Sequence, residues 1–203
     1  MDVMTNRAQS GSGVSMKERD ITLITGGARS GKSSFALKES GTKGGRKIFV
    51  ATAVSCDEEM SARIQRHRRE RGREWETIEE PFEIAGVIRH RDSEDVVIVV
   101  DCVTVWLSNI LLKLSDEDGT EEPDNDDYIT GKINERLDDL IEALKSTRHA
   151  RVFMVSNEVG MGIVPESKLG RLFRDVAGIA NQRLAGIAEN VYLMVSGLPL
   201  KIK

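Results

Sequence analysis

The hydrophobic positions of this chain fall into five short, nearly continuous runs, separated by longer segments of mixed polarity. The runs are rich in β-branched residues, which is typical of strands that are buried on both faces of a parallel sheet. The segments between them are long enough for helices, and this alternation predicts an α/β fold with helices on both faces of a mostly parallel sheet. The final run, Leu198–Lys203, predicts an additional edge strand. The five predicted buried strands are Ile21–Thr25, Lys47–Ala53, Val96–Asp101, Arg151–Ser156 and Val191–Ser196.

Two polar segments stand apart from this pattern. Residues 1–18 contain Gly and Ser and show no periodicity, so we interpret them as a flexible extension of a single domain that spans residues 19–203. The chain has 203 residues, which is enough for one domain with a sizeable core. Ser115–Asp127 contains eight acidic residues together with Gly119 and Pro123, and this composition predicts a solvated loop inserted into the third α/β unit.

The strongest chemical signal is the octapeptide GGARSGKS, which follows the first predicted strand and precedes a helix-like segment. A loop of this pattern turns backbone N–H groups toward phosphate oxygens, and its lysine reaches the β- and γ-phosphates. The hydroxyl of its last residue is placed to bind Mg²⁺. A glycine-rich turn without a ligand is the alternative, but the strand before and the helix after favour a nucleoside triphosphate site. The predicted phosphate-binding loop comprises Gly26, Gly27, Ala28, Arg29, Ser30, Gly31, Lys32 and Ser33.

A second segment, Ser55–Glu79, combines a predicted helix start with a dense basic run. Ser55 and Glu58 have the spacing of a capping box, and His67 falls on the apolar face of the helix that would follow. The basic run has two interpretations, a solvated helix face or a cluster of guanidinium groups that binds a triphosphate bidentately. The arginines concerned are Arg63, Arg66, Arg68, Arg69, Arg71 and Arg73.

His67 also has two interpretations on the residues alone. A single histidine on an apolar helix face is commonly a core residue. Alternatively, its imidazole attacks a phosphorus atom and forms a covalent phosphoramidate, in which case the surrounding positive charge would keep the ring neutral and nucleophilic. The spacing does not choose between the two.

Two further segments follow predicted strands and are candidates for the same site. Asp101 ends an apolar strand in the manner of a Walker B motif, so it would face the phosphates and hold Mg²⁺, although a helix N-cap is an alternative or additional role. The glycine-punctuated segment Asn157–Pro165 carries one carboxylate, Glu158. It is interpreted either as a substrate lid with a water-positioning role or as an ordinary connecting loop.

Composition narrows the classes of function. The net charge of −4 argues against a nucleic-acid binder with a broad basic face. No apolar run approaches the roughly 20 residues that span a bilayer, and the first residues lack the apolar segment of a signal peptide. The two cysteines, Cys56 and Cys102, have neither disulfide-scaffold numbers nor zinc-site spacing, so we expect a reduced, cytoplasmic location.

Four motifs in this order resemble the bifunctional adenosylcobinamide kinase / adenosylcobinamide-phosphate guanylyltransferase family of cobalamin biosynthesis. The resemblance extends from Asp20 to Lys203 and implies a RecA-like P-loop fold, a homotrimer and two reactions at one nucleotide site. The first reaction phosphorylates adenosylcobinamide with ATP or GTP. The second transfers GMP from GTP to the new phosphate and gives adenosylcobinamide-GDP. The motifs lie in Gly26–Ser33, Ala62–His67, Ser156–Pro165 and Phe173–Arg183.

The resemblance also implies roles for particular residues. His67 matches the histidine that carries GMP covalently. The P-loop and Walker B patterns separately predict Lys32 as the catalytic phosphate-binding lysine, and Ser33 and Asp101 as the Mg²⁺ ligands. Some family members carry a second histidine before the modified one, whereas this chain has Arg66 there. Beyond the P-loop, the implied guanine-nucleotide contacts are Val50, Ala51, Thr52, Arg68, Arg69, Glu70, Arg71, Glu79 and Asp101.

Two other functions remain as alternatives to the bifunctional enzyme. One is a P-loop kinase in which His67 is structural and the guanylyl step is lost. The other is a GTP-dependent switch without transfer chemistry, but the chain lacks the N-K-x-D motif with which switch GTPases read guanine.

Overall fold

The computed structural model describes residues 19–54, 71–72, 74–117 and 126–203. Among these residues it contains seven strands and five helices. The strands are β1 (Asp20–Gly26), β2 (Arg46–Ala51), β3 (Trp75–Glu79), β4 (Val96–Asp101), β5 (Arg151–Val155), β6 (Asn190–Val195) and β7 (Leu198–Lys201). The helices are α1 (Lys32–Gly41), α2 (Ile84–Arg91), α3 (Val103–Glu117), α4 (Asp126–Ser146) and α5 (Lys168–Ile187).

All seven strands form a single sheet in the order β3-β2-β4-β5-β1-β6-β7. Every neighbouring pair is parallel except β6 and β7, which are antiparallel and joined by the tight turn at Ser196 and Gly197. The predicted α/β class, the mostly parallel sheet and the extra edge strand are therefore confirmed. The observed strand ends differ from the predicted ones by at most two residues.

Strand β3 has no counterpart among the predicted strands. Its sequence WETIE contains two acidic residues and directly follows the basic run, so it lacks the apolar continuity of the other strands. The strand is held by its parallel pairing with β2 and by the burial of Trp75, which packs edge-on against Phe49. Glu76 is engaged by Arg46 and by Arg91, 2.5 and 2.9 Å away. These partners are distant in sequence, so the local pattern gave no sign of the strand.

The core is divided between the two faces of the sheet because successive strand side chains point in opposite directions. In β4, Val97 and Val99 pack with helix α1 on one face. Alternate residues of the same strand, such as Ile98, pack with the other four helices on the opposite face. The sheet is thus covered on both sides, which explains why its central strands are nearly all apolar.

The acidic segment is shorter than predicted at both ends. Ser115 and Glu117 belong to the last turn of α3, and α4 begins at Asp126. The predicted loop Ser115–Asp127 was therefore wrong at its boundaries, because the helical pattern of the flanking residues outweighs their acidity. Residues 118–125, like the predicted extension 1–18, lie outside the described residues.

Within the described part of the chain, every helix is too short or too polar to cross a bilayer.

Candidate nucleotide site

The loop between β1 and α1 has the backbone geometry of a phosphate cradle. Gly26 and Gly31 adopt φ angles of 149° and 93°, which residues with a side chain rarely adopt. A Cβ on Gly26 would lie 2.6 Å from the carbonyl oxygen of Met194, so only glycine fits there. Gly31 is the N-cap of α1, so the loop delivers the N-terminus of that helix to the site. Orphan N–H groups at such an end bind anions.

Lys32 lies at the first position of α1 and is folded back over the loop. Its Nζ atom donates a hydrogen bond to the carbonyl oxygen of Gly27 at 2.6 Å, and the residue is only 6% exposed. Desolvation lowers the pKa of this ammonium, and the neighbouring Asp101 carboxylate opposes that change. Lys32 and Asp101, which the sequence assigned separately to phosphate and Mg²⁺, are thus within electrostatic range of each other.

The other strand ends continue the site as a row along the carboxyl edge of the sheet. Ala51 is in register with Asp101 on one side and with Glu79 on the other, and Asp101 is in register with Val155. Glu79 is exposed at the end of β3. In parallel sheets ligands bind beyond the carboxyl ends of the strands, so this row is the expected face for a nucleotide.

Val50 and Thr52 enter this face differently from the P-loop residues. Both are completely buried. The Thr52 hydroxyl donates to the carbonyl oxygen of Cys102 at 2.9 Å and accepts from the Cys102 N–H at 2.8 Å. Asn109 of α3 donates to the Thr52 carbonyl at 2.8 Å. Val50 and Thr52 therefore lie behind the accessible surface of this face, and their contact with a nucleotide stays a prediction.

A buried hydrogen-bond network organises the loop after β5. Ser156 donates to Oδ1 of Asn181 at 2.6 Å, and Nδ2 of Asn181 donates to the Asn157 carbonyl at 3.1 Å and to Oε2 of Glu158 at 3.4 Å. Asn157 in turn donates to the Thr104 hydroxyl at 2.8 Å. Helices α3 and α5 thereby fix the backbone path of the loop that carries Glu158.

Arg71 is buried, unlike the solvated helix face that one interpretation of the basic run predicted. The residue is 7% exposed, and its guanidinium lies 3.7 Å from the centroid of the Phe49 ring. A cation stacked on a buried ring contributes to packing as well as charge. For Arg71, the solvated-face interpretation is wrong. The residues His67, Arg68, Arg69 and Glu70 lie outside the described residues, as does the helix start predicted at Cys56 or Asp57 after the capping residue Ser55.

The oxygen ligands available near the loop, one hydroxyl and one carboxylate, are suited to Mg²⁺ that is bound together with a nucleotide. Ser33 is half-buried in the first turn of α1, and Asp101 is half-buried at the end of β4. Among the described residues, no three His, Cys, Asp or Glu side chains are grouped as a metal cage. Mg²⁺ commonly takes one or two protein oxygens, substrate phosphates and water, so one hydroxyl and one carboxylate suffice.

Sequence reasoning missed the roles of Thr104 and Asn181. Asn181 lies within a recognised motif, but its partners, Ser156 and Glu158, are more than 20 residues away along the chain. The signal in the sequence was a polar residue, Asn181, within an otherwise apolar part of a predicted helix. Ala28 and Arg29, by contrast, are exposed at the tip of the predicted loop, with Arg29 at φ 57°.

The sequence is similar to known proteins over the residues that form this site. The sequence model of the family described as "Cobinamide kinase / cobinamide phosphate guanyltransferase" matches residues 22–202. The chain is 43% identical over 185 residues to "Bifunctional adenosylcobalamin biosynthesis protein CobU" of Escherichia coli, with 90% of this chain and 99% of that protein covered. The protein of the same name from Salmonella typhimurium is 41% identical over 186 residues, with 90% and 99% covered.

Among solved structures, an ATPase from the type III secretion system of pathogenic bacteria covers 90% of this chain and 56% of its own, at 12% identity and a TM-score of 0.47. The family match spans nearly the whole described domain and includes the P-loop, Asp101 and the network around Asn181. This chain belongs to the cobinamide kinase / cobinamide phosphate guanyltransferase family.

Proposed function

We propose that this chain carries out both reactions of its family at the single P-loop site. It phosphorylates the hydroxyl of the aminopropanol arm of adenosylcobinamide with ATP or GTP. It then transfers GMP from GTP to that phosphate, which yields adenosylcobinamide-GDP and pyrophosphate. The observation that carries the proposal is the cradle in which Gly31 opens α1 and Lys32 folds back onto the Gly27 carbonyl, 2.6 Å away.

In the kinase step, the chain mainly positions reactants and stabilises charge. The N–H groups at the start of α1 hold the β- and γ-phosphates, and Lys32 exchanges its hydrogen bond to Gly27 for phosphate oxygens. Ser33 and Asp101 hold the metal ion. A bound Mg²⁺ would supply positive charge that offsets the negative charge of the phosphates.

In the guanylyl step, a ring nitrogen of His67 attacks the α-phosphorus of GTP, and the bond to the bridging oxygen breaks as pyrophosphate leaves. The phosphate of the corrinoid then attacks the same phosphorus, and the phosphoramidate bond breaks to release a free imidazole. Arg68, Arg69, Glu70 and Arg71 lie next to His67 in the chain, and the arginines among them would offset negative charge at the α-phosphate.

The loop after β5 offers a surface suited to a large organic acceptor. Met161 is 80% exposed and Ile163 is 95% exposed, and Val164 is also largely exposed. These side chains follow Glu158 closely, at the same edge of the sheet as the P-loop. An apolar patch rimmed by polar groups often marks a binding surface. We therefore place the corrin ring against Met161 and Ile163.

The assembly and location belong to the same proposal. We expect a homotrimer in the cytoplasm, with a mass by light scattering three times the 22.5 kDa of the chain.

The experiment that tests the function supplies the chain with Mg²⁺ and two differently labelled nucleotides. Label from γ-labelled ATP should appear in adenosylcobinamide-phosphate, and label from α-labelled GTP should appear first on protein and then in adenosylcobinamide-GDP. The protein label should be acid-labile and stable in alkali. Phosphorylation without any protein label would favour the kinase-only alternative. The absence of both products would reject the proposal.

A further inference from the structure

We propose that Glu158 is the general base of the kinase step, accepting the proton of the acceptor hydroxyl. The inference rests on the proposed function, since it assigns a residue to one of its two reactions. A phosphoryl acceptor that starts as an alcohol must lose a proton, and kinases commonly place a carboxylate to receive it.

The position of Glu158 follows from the order of the strands. Strand β5 lies between β1, which leads into the P-loop, and β4, which ends at Asp101. The ladder between β1 and β5 continues past the strand ends, because the N–H of Ser156 donates to the Ile24 carbonyl at 3.0 Å and that of Glu158 donates to the Gly26 carbonyl at 2.9 Å. Glu158 is thus fixed against the first residue of the P-loop.

The same stretch of loop also holds the partner of Lys32. The Gly27 carbonyl that accepts from Lys32 Nζ is one peptide unit beyond the Gly26 carbonyl that accepts from Glu158. The backbone of Glu158 therefore lies beside the part of the P-loop whose next carbonyl is bound by Lys32. In this proposal the acceptor hydroxyl reaches the γ-phosphorus between Lys32 and Glu158.

The Glu158 carboxylate is oriented by a hydrogen bond, and among the described residues it forms no ion pair. It accepts a hydrogen bond from Nδ2 of Asn181 at 3.4 Å, a long bond from a neutral donor. Among the residues the structure describes, no Lys or Arg forms an ion pair with it. Asn181 is itself 7% exposed and fixed by Ser156 and Asn157, so it acts as a positioning residue.

The other carboxylates at this edge suit the role less well. Asp101 ends β4, two positions from the P-loop strand in the sheet, and is the residue proposed to hold the metal ion. Glu79 ends β3, which is separated from β1 by three intervening strands. Four strand spacings of about 4.8 Å place Glu79 roughly 19 Å from the P-loop strand, too far to reach a hydroxyl at the γ-phosphate.

The chemical step balances with the groups present. The acceptor oxygen forms a bond to the γ-phosphorus, and the bond from that phosphorus to the β–γ bridging oxygen breaks, releasing the nucleoside diphosphate. The hydroxyl proton passes to a carboxylate oxygen of Glu158 and from there to solvent. The guanylyl step starts from a phosphate that carries no such proton, so it does not need this base.

The test compares Glu158→Gln with Glu166→Gln in the full chain. Glu166 is an exposed carboxylate eight positions further along the same segment and serves as the matched control. Each variant is assayed for phosphorylation of adenosylcobinamide and, separately, for formation of adenosylcobinamide-GDP from supplied adenosylcobinamide-phosphate. Glu158→Gln should lower kcat of phosphorylation at least about 100-fold, with KM for both substrates within about threefold of wild type.

The second reaction should run at near wild-type rate in Glu158→Gln, which also shows that the variant is folded and binds GTP. Undiminished phosphorylation in this variant, a rise in KM without a fall in kcat, or equal loss of both reactions would each overturn the assignment. If the wild-type chain itself phosphorylates no adenosylcobinamide, the proposed function fails instead, so the two failures are distinguishable. Glu166→Gln should behave as wild type in both assays.

Discussion

The ammonium of Lys32 lies 2.6 Å from the carbonyl oxygen of Gly27, five residues earlier in the same loop. The contact holds a buried cation at the mouth of the cradle by a hydrogen bond to a neutral group. A bond from this ammonium to a phosphate joins two charged groups and is stronger than one to a neutral carbonyl, so a bound triphosphate can compete with Gly27 for Lys32. The site is therefore arranged in advance for a triphosphate.

Lys32→Ala should impair both reactions while leaving the fold intact. Loss of this contact should remove about 2–4 kcal/mol of transition-state stabilisation, a rate loss of roughly 30- to 1,000-fold. Rates of phosphorylation and of protein labelling by α-labelled GTP measure the two effects, and circular dichroism checks the fold. Lys38→Ala, an exposed lysine on the same helix, is the control. Wild-type rates for either reaction in Lys32→Ala would contradict a shared site.

Local patterns were sufficient to predict the parts of the site that are made by local structure. The P-loop is encoded by neighbouring residues, and the apolar run Val96–Asp101 gave its strand with the correct ends. Strand β3 was missed because its stability comes from β2, from the packing of Trp75 on Phe49 and from distant arginines. Likewise, the contact of Asn181 with Glu158 joins two motifs that lie apart in the chain.

The acidic segment between α3 and α4 should be dispensable for catalysis. Replacing residues 118–125 by a Gly/Ser linker of the same length leaves Glu117 in α3 and Asp126 in α4, where Asp126 pairs with Lys168 at 3.0 Å. Even a doubling of loop length changes closure entropy by only about 0.6 kcal/mol, so thermal stability should change little. Corrinoid turnover that collapses while GTP labelling persists would identify the segment as a functional lid.

Asp92 should stabilise the fold in a pH-dependent manner. Its carboxylate accepts hydrogen bonds from the N–H groups of Arg148, His149 and Ala150 at 2.8–2.9 Å. Burial raises the pKa of Asp92, but these three bonds outweigh that effect, and the pKa lies below its ordinary value of 3.8. A carboxylate with a lowered pKa contributes stability above the pKa of the unfolded chain, and this contribution is lost as the pH falls through the folded pKa.

Asp92→Ala should therefore cost about 1–2 kcal/mol of unfolding free energy at pH 7, allowing for the half-exposed setting. The difference from wild type should shrink as the pH falls below about 4, the ordinary range of an aspartate. Urea unfolding at several pH values measures it, with the exposed Asp116→Ala as the control. A difference that is the same at pH 7 and pH 3 would show that the hydrogen bonds of Asp92 do not depend on its charge.

Ile163→Ser tests the proposed surface for the corrin ring. If the 95% exposed side chain covers an apolar ring edge, its loss should raise KM for adenosylcobinamide by roughly 5- to 30-fold, equivalent to about 1–2 kcal/mol of buried apolar surface. Labelling of protein by GTP should be unchanged. Leu112→Ser removes another exposed apolar side chain, on α3, and should leave both unaffected. An unchanged KM in Ile163→Ser would show that the corrin ring does not bind against this loop.

His67→Asn should separate the two reactions. The kinase step needs the triphosphate, Mg²⁺ and an aligned hydroxyl, with no covalent bond to the protein, so phosphorylation should stay within about tenfold of wild type. The guanylyl step, which passes through a phosphoramidate, should be abolished because no imidazole is available to form it. Protein labelling by α-labelled GTP and formation of adenosylcobinamide-GDP are the measurements, and His90→Asn, an exposed histidine on α2, is the control.

Undiminished labelling would show that His67 is not the nucleophile, whereas equal loss of both reactions in a folded protein would make it a nucleotide-positioning residue. Together with Glu158→Gln, which should lose the kinase step alone, this variant gives the reciprocal pattern expected when two reactions share one phosphate cradle but use different side chains for their proton and covalent chemistry.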